Sequence, residues 1–161
     1  MTIRLAILTI SDAGSRGERA DTSGDTIAAW AGERGYSIVE RTLVPDETGR
    51  IVAALLRWAD GDSIDLILTT GGTGLTARDV TPEATKAVLD KEAPGIAEAL
   101  RNVAYSRFPR AALSRGLAGV RGKTLIVNLP GSTGGVKDGL AVLNDLVEHA
   151  VGLVRGESTG H

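Results

Sequence analysis

The segment from Leu66 to Glu83, LILTTGGTGLTARDVTPE, constrains the fold of this chain more than any other stretch. An apolar run, Leu66 to Leu68, passes through Thr69 and Thr70 into a loop carrying Gly71, Gly72 and Gly74. Thr81 reads as a helix N-cap and Pro82 as the first helical residue, where the missing N–H of proline costs nothing. The order is therefore buried strand, glycine loop, short exposed segment, helix. Glycines let backbone N–H groups approach an anion, and the helix N-terminus adds a favourable partial charge. Asp79 sits beside that prospective phosphate site, an arrangement that makes sense with a divalent cation between the two anions. A plain strand-to-helix turn also needs glycine, so the loop alone does not define a function. It is neither a Walker loop, since no Gly-Lys-Ser/Thr follows, nor the Gly-x-Gly-x-x-Gly dinucleotide fingerprint.

Composition narrows the chemistry. At 161 residues the chain is most simply one domain, large enough for its own core. A net charge of −2 gives no basis for a polyanion-binding surface, which argues against nucleic acid as a partner. No cysteine is present, so disulfides and thiolate chemistry are excluded, and a reducing compartment is the simple assumption. Two histidines, one of them His161, do not make a histidine-rich metal site; a metal here would take oxygen ligands, as magnesium does. No apolar run approaches the roughly 20 residues of a membrane span, and no signal-peptide core is seen, which points to a cytoplasmic protein with no membrane contact. The 21 glycines, about twice an average share, fall at the ends of apolar runs and punctuate a fold.

Along the chain, Ile3 to Ile10 has the near-continuous apolar character of a strand covered on both faces, and runs into a polar loop from Ser11 to Gly17. Ser23 to Arg34 is predicted helical, with Ile27, Trp30 and Ala31 inward and Gly35 as stop. Tyr36 to Val44 is a second strand. Pro45, Asp46 and Glu47 open a helix whose stripe Ile51, Ala54, Leu55 and Trp58 has the spacing of one buried face, and Gly61 closes it. After the central strand, Ile64 to Thr70, helices are predicted over Pro82 to Asp90 and from Pro94, the latter with Ile96, Ala99, Leu100 and Val103 inward. Arg107, Arg110, Arg115 and Arg121 read as a solvated, salt-bridged surface. Lys123 to Leu129 is a strand ending in Pro130, Gly131, Ser132, Thr133, Gly134 and Gly135. One closing helix then carries Val136, Leu140, Leu143, Val147, Val151 and Val154. This alternation predicts a parallel sheet between helical layers, with ligands beyond the carboxyl ends of the strands where strand order reverses. The loops Ser11 to Gly17, Gly71 to Thr76 and Gly131 to Gly135 all leave that edge, and Asp12, Asp46 and Asp79 each lie just past a strand.

Three motifs taken together are distinctive: TISD at residues 9–12, TGGTG with RDVTP at 70–74 and 78–82, and NLPGS at 128–132. The chain resembles the MogA/MoaB family of molybdenum-cofactor biosynthesis proteins across nearly its whole length, as a single-domain form of a module also found in gephyrin, MoeA and CinA. The resemblance implies a three-layer α/β/α fold with a mostly parallel sheet, one molybdopterin-binding domain over 1–156 and a flexible tail over 157–161. It implies a homo-oligomer, trimeric or, as in some MoaB proteins, hexameric, and the insertase MoeA as a possible partner. Catalytic members are molybdopterin adenylyltransferases, which use magnesium and transfer AMP from ATP to the terminal phosphate of molybdopterin, releasing pyrophosphate. The family's catalytic aspartate corresponds to Asp79, and a second one, in a Pro-Asp-Glu segment, to Asp46.

Both partners of such a reaction are anionic, so positioning and charge neutralisation are most of the catalysis. The expected site has Asp79 and Asp46 on Mg²⁺ and the backbone of Gly71, Gly72, Thr73 and Gly74 around a phosphate. Pro130, Gly131 and Ser132 meet the other substrate, and Ser11 and Asp12 line the same crevice. Plainer roles compete: a helix cap for Asp46, a turn pairing with Arg78 for Asp79, and caps of the final helix for Ser132 and Thr133. Two other functions stay open, a non-catalytic MoaB-like pterin-binding or oligomeric partner protein and a generic nucleotide hydrolase. The second has no Walker lysine or evident water-activating base to support it.

Overall fold

Alternate residues of the first strand serve opposite cores, which is why its sequence is almost wholly apolar. In the computed structural model, which describes residues 2–157, β1 (Arg4–Ile10) sends Leu5 and Ile7 to one face and Ala6, Leu8 and Ile10 to the other, and leads into the one-turn helix α1 (Asp12–Ser15). The first face is covered by α2 (Thr22–Glu33), α6 (Thr133–Leu143) and α7 (Val147–Val154) through Ile27, Trp30, Val136, Leu140 and Val151. The second is covered by α3 (Thr48–Asp60) and α4 (Thr81–Val88) through Ile51, Leu55, Trp58 and Val88. The expected helix–sheet–helix layering is thus present, and the α3 stripe Ile51, Ala54, Leu55 and Trp58 is wholly buried.

The sheet has six strands. β2 (Ser37–Val44), β1, β3 (Leu66–Thr70) and β6 (Thr124–Leu129) are parallel neighbours in that order, and β5 (Ala118–Arg121) and β4 (Lys91–Glu92) extend it antiparallel beyond β6. The chain moves outward from β1 to β2, then crosses back over β1 to β3, so strand order reverses between β1 and β3. That reversal opens a crevice at their carboxyl ends. No helix among the described residues is long and apolar enough to cross a membrane.

Three expectations about the elements need correction. The segment Ser106 to Arg121 holds a 3-10 helix, Pro109–Leu113, and strand β5, not only a charged surface. The closing helix is broken into α6 and α7 at Asn144, whose Oδ1 accepts from Trp30 Nε1 (2.8 Å) and Arg34 Nη1 (2.9 Å). The break lets Leu143, Val147 and Val151 all stay on the sheet. In α5 (Pro94–Tyr105) the buried residue is Ala97, whereas Val103 is 47% exposed, because the flank bearing Ala97, Leu100 and Ala104 borders a cavity. At the C-terminal boundary the Glu157 N–H donates to Gly152 O (2.9 Å) and its carboxylate pairs with Arg155 (2.7 Å). The rest of the tail expected over 157–161 lies outside the described residues.

Candidate active site

The three loops leaving β1, β3 and β6 meet at the crevice. Gly71 is essential to that meeting: with φ 99° it passes under β1, and a Cβ there would run into the Ile10 carbonyl oxygen. Its N–H donates to Leu129 O (3.2 Å), and Thr70 Oγ1 donates to Pro130 O (2.7 Å), tying the β3 loop to the β6 loop. Gly72 (φ 69°) has no room either, since a Cβ would strike Thr81 Oγ1 and lie 3.0 Å from Asp46 Oδ1. Thr81 is not the N-cap that its sequence position suggests; Val80 occupies that position. Thr81 instead donates from Oγ1 to Gly71 O (2.9 Å) and from its N–H to Gly72 O (3.1 Å), fixing the glycine loop from behind. The Gly71 N–H, donated to Leu129 O, is unavailable to an anion. Those of Gly72, Thr73 and Gly74 donate to no acceptor among the described residues.

Asp12 and Asp46 face each other across the ends of β1 and β2 in a reciprocal pair. Asp46 N donates to Asp12 Oδ1 (2.9 Å), and Asp12 N donates to Asp46 Oδ2 (2.9 Å). Asp46 is therefore no helix cap; the cap residue of α3 is Glu47, without a side-chain bond. Arg78 donates from Nε (2.9 Å) and Nη2 (3.0 Å) to both oxygens of Asp12, and this contact, with the Asp46 N–H, pulls the Asp12 carboxyl down to about 2. Burial pushes Asp46 the other way, and the nearby carboxylates of Asp12 and Asp79 add to that effect. Asp79 does not pair with Arg78. Its Oδ2 accepts from the N–H and hydroxyl of Thr76 (both 2.9 Å), within a turn closed by Asp79 N donating to Thr76 O (3.1 Å).

Two cavities flank the glycine loop. One, of about 700 Å³, lies between α5, the 3-10 helix and the β6 loop, with Leu100, Ala104, Phe108 and Leu113 on its apolar side and Thr73, Gly74, Asn128 and Pro130 on its floor. The other, of about 570 Å³, lies over the β1–β3 reversal and is lined by Ser11, Asp21, Thr22, Asp46, Gly71 and Thr133. Gly72, Asp79, Gly131 and Ser132 line both. Ser132 also caps α6 by accepting from Gly135 N (3.1 Å), so its structural and site roles coexist. Of the residues predicted for the site, ten line one cavity or both. Asp12 lines neither, because its carboxylate is occupied by Arg78 and by the Asp46 N–H.

Sequence reasoning passed over Asp21, whose carboxylate caps α2 through Gly24 N (3.0 Å) and accepts from Thr9 Oγ1 (2.8 Å) at the rim of the smaller cavity. Its position just before Thr22 was the available signal. Arg107 and Arg121 do form the expected surface pairs, with Asp138 (2.7 Å) and Asp60 (2.9 Å), and Arg110 stacks over the Phe108 ring at 4.8 Å. Arg115 pairs with Glu83 (2.6 Å) and also donates to the Gly74 and Asp79 carbonyls (2.8 and 2.9 Å).

The donor set available to a metal is all oxygen. Among the described residues no group of three or more acidic or histidine side chains is placed to hold a metal ion, so they build no calcium-like cage. Asp46 and Asp79, facing one cavity and repelling each other, fit an ion that keeps its waters and completes its shell with substrate phosphates, which is magnesium's habit.

Residues 6–149 match the family model described as a probable molybdopterin binding domain. The molybdopterin adenylyltransferase of Helicobacter pylori is 38% identical over 157 residues, covering 96% of this chain and 89% of that protein. The Drosophila melanogaster molybdenum cofactor synthesis protein cinnamon is 42% identical over 95% of this chain, which spans only 26% of its length. Among solved structures, the molybdopterin biosynthesis enzyme MoaB of Thermus thermophilus superposes with a TM-score of 0.91 at 50% identity, covering 96% of this chain and 98% of that one.

Proposed function

The chain belongs to the MogA/MoaB family of molybdenum-cofactor biosynthesis proteins, and we propose that it is a molybdopterin adenylyltransferase. In this reaction an oxygen of the terminal phosphate of molybdopterin attacks the α-phosphorus of ATP. The bond from that phosphorus to the bridging oxygen breaks, pyrophosphate leaves, and adenylyl-molybdopterin remains. The observation that carries the proposal is the pair of cavities separated by a shared wall of Gly72, Asp79, Gly131 and Ser132. Two substrates held on either side of one carboxylate have their reacting phosphates brought together at it. A hydrolase needs only one such cavity and a base for water. The curated relative from Helicobacter pylori, matched over nearly its whole length, bears the name of this activity.

The protein's own part is placement and charge. The free N–H groups of Gly72, Thr73 and Gly74 bind phosphate oxygens, and the cramped Gly72 backbone brings Asp46 close to them. Ser132, with the N-terminus of α6 behind it, orients the second substrate against the same wall. Asp46 and Asp79 would hold Mg²⁺, which supplies neutralisation of the phosphate charge as it builds on the leaving group. Arg78 keeps Asp12 ionised and bound, so that the Asp12 backbone holds Asp46 in place.

The test is pyrophosphate release from ATP by the purified protein with Mg²⁺ and molybdopterin, beside Asp79→Ala. Release that requires molybdopterin and is lost in the variant supports the reading. Pterin binding without any release in the wild type overturns it in favour of a non-catalytic binding protein.

A further inference from the structure

We propose that Arg115 is the positioning residue of this site: it staples shut the base of the loop that carries Asp79. The inference rests on the adenylyltransferase reading for its functional consequence, but its geometry stands by itself. Between Gly74 and Asp79 the chain makes an exposed excursion, with Leu75 67% exposed at the near side. Arg115 Nε donates to Gly74 O (2.8 Å), where the excursion begins, and Nη2 donates to Asp79 O (2.9 Å), where it ends. Its own N–H donates to Thr73 O (2.8 Å), one residue earlier. The guanidinium plane is set by Glu83 on α4, which accepts from Nη1 at Oε2 (2.6 Å) and from Nη2 at Oε1 (3.2 Å). One side chain thus fixes both ends of the loop relative to the helix that follows it.

Within the excursion itself, the backbone bond from Asp79 N to Thr76 O closes only the tip. Thr76 then aims the carboxylate by donating twice to Oδ2. The tip fixes which way Asp79 points relative to its own turn, and Arg115 fixes where that turn sits relative to Gly72 and Asp46. Arginine is required because two carbonyls and a carboxylate lie around one plane; a lysine ammonium satisfies Glu83 but lacks the fork that spans both carbonyls. Arg115 touches neither cavity, so it acts through Asp79 and the glycine loop and not on substrate.

The test compares Arg115→Lys with Arg121→Lys. Arg121 is a matched control: it too forks, between Asp60 (2.9 and 3.2 Å) and the Val88 carbonyl (2.9 Å), at the sheet edge away from both cavities. Turnover, KM for each substrate, melting temperature and amide hydrogen exchange over 72–79 are measured for both, with Glu83→Gln as a second variant. The expectation for Arg115→Lys is a kcat about 100-fold lower, as for a displaced reacting group, with each KM within about threefold. Exchange over 72–79 rises in Arg115→Lys and Glu83→Gln, and Arg121→Lys shows neither change at a similar loss of melting temperature. Equal loss of turnover in the two lysine variants overturns the proposal, because general destabilisation then explains it. If the wild type transfers no AMP, the adenylyltransferase reading fails, and the exchange decides on Arg115 alone: unchanged protection of 72–79 in Arg115→Lys overturns it.

Discussion

At Asp46 the proposed site and the stability of the fold pull in opposite directions. It is partly buried, faces two other carboxylates, and its own acidity is weakened by that company. Asn at this position retains an oxygen to accept the Asp12 N–H while removing the charge. Asp46→Asn should therefore melt no lower than the wild type, and higher in low salt, while losing AMP transfer. A lowered melting temperature would show that the carboxylate is structural. Asp12 is the opposite case. Its folded-state value of about 2 lies below the ordinary 3.8, so its pairing with Arg78 stabilises the fold above the ordinary value and that stabilisation disappears as pH falls through the folded one. Arg78→Met should melt below the wild type at pH 6, and the two melting curves should converge as the pH is lowered from about 4 towards 2. A gap that stays constant over that range would refute the pairing.

At the scale of elements, the break between α6 and α7 shows what a side chain far off in sequence can impose. Asn144 Oδ1 takes Trp30 Nε1 and Arg34 Nη1, and its carbonyl takes Arg34 Nη2 (3.2 Å). Asn144→Ala leaves the indole N–H of a mostly buried Trp30 without its acceptor, a loss of about 2 kcal/mol. A melting temperature lower by roughly 4–8 °C is expected for a chain of this size, and an unchanged value would show that the break is set by backbone alone. That break was not legible in the sequence, because the apolar spacing from Val136 to Val154 continues through it. What decides it is an acceptor 114 residues from its indole donor. Strands β1, β3 and β6 were legible because runs buried on both faces are mostly apolar, and β3 and β6 run straight into Gly71 and Pro130. Strands β4 and β5, two and four residues long, are too short for any alternation to show.

For the whole molecule, the convergence of loops on the candidate site was legible in chain order: strands alternating with helices put Ser11, Asp46, Gly71 and Ser132 at one edge of the sheet. The larger cavity did not follow. On α5 the sequence places Ile96, Ala99, Leu100 and Val103 inward, whereas the flank that lines the cavity is Ala97, Leu100 and Ala104. Ile96 and Leu100 still pack on the core, so α5 covers the core with one flank and walls the cavity with the other. The two cavities touch solely through Gly72, Asp79, Gly131 and Ser132, so substrate binding at one should be separable from binding at the other. Ala104→Trp places a large ring in the bigger cavity, on its α5 wall, and Ala104 does not line the smaller one. It should abolish saturable binding of one substrate and leave the dissociation constant of the other within about threefold, with turnover lost. Separate titrations with ATP plus Mg²⁺ and with molybdopterin read this directly. Loss of both, or of neither, would mean that the two cavities do not hold the two substrates separately, and the shared wall would no longer explain how their phosphates meet.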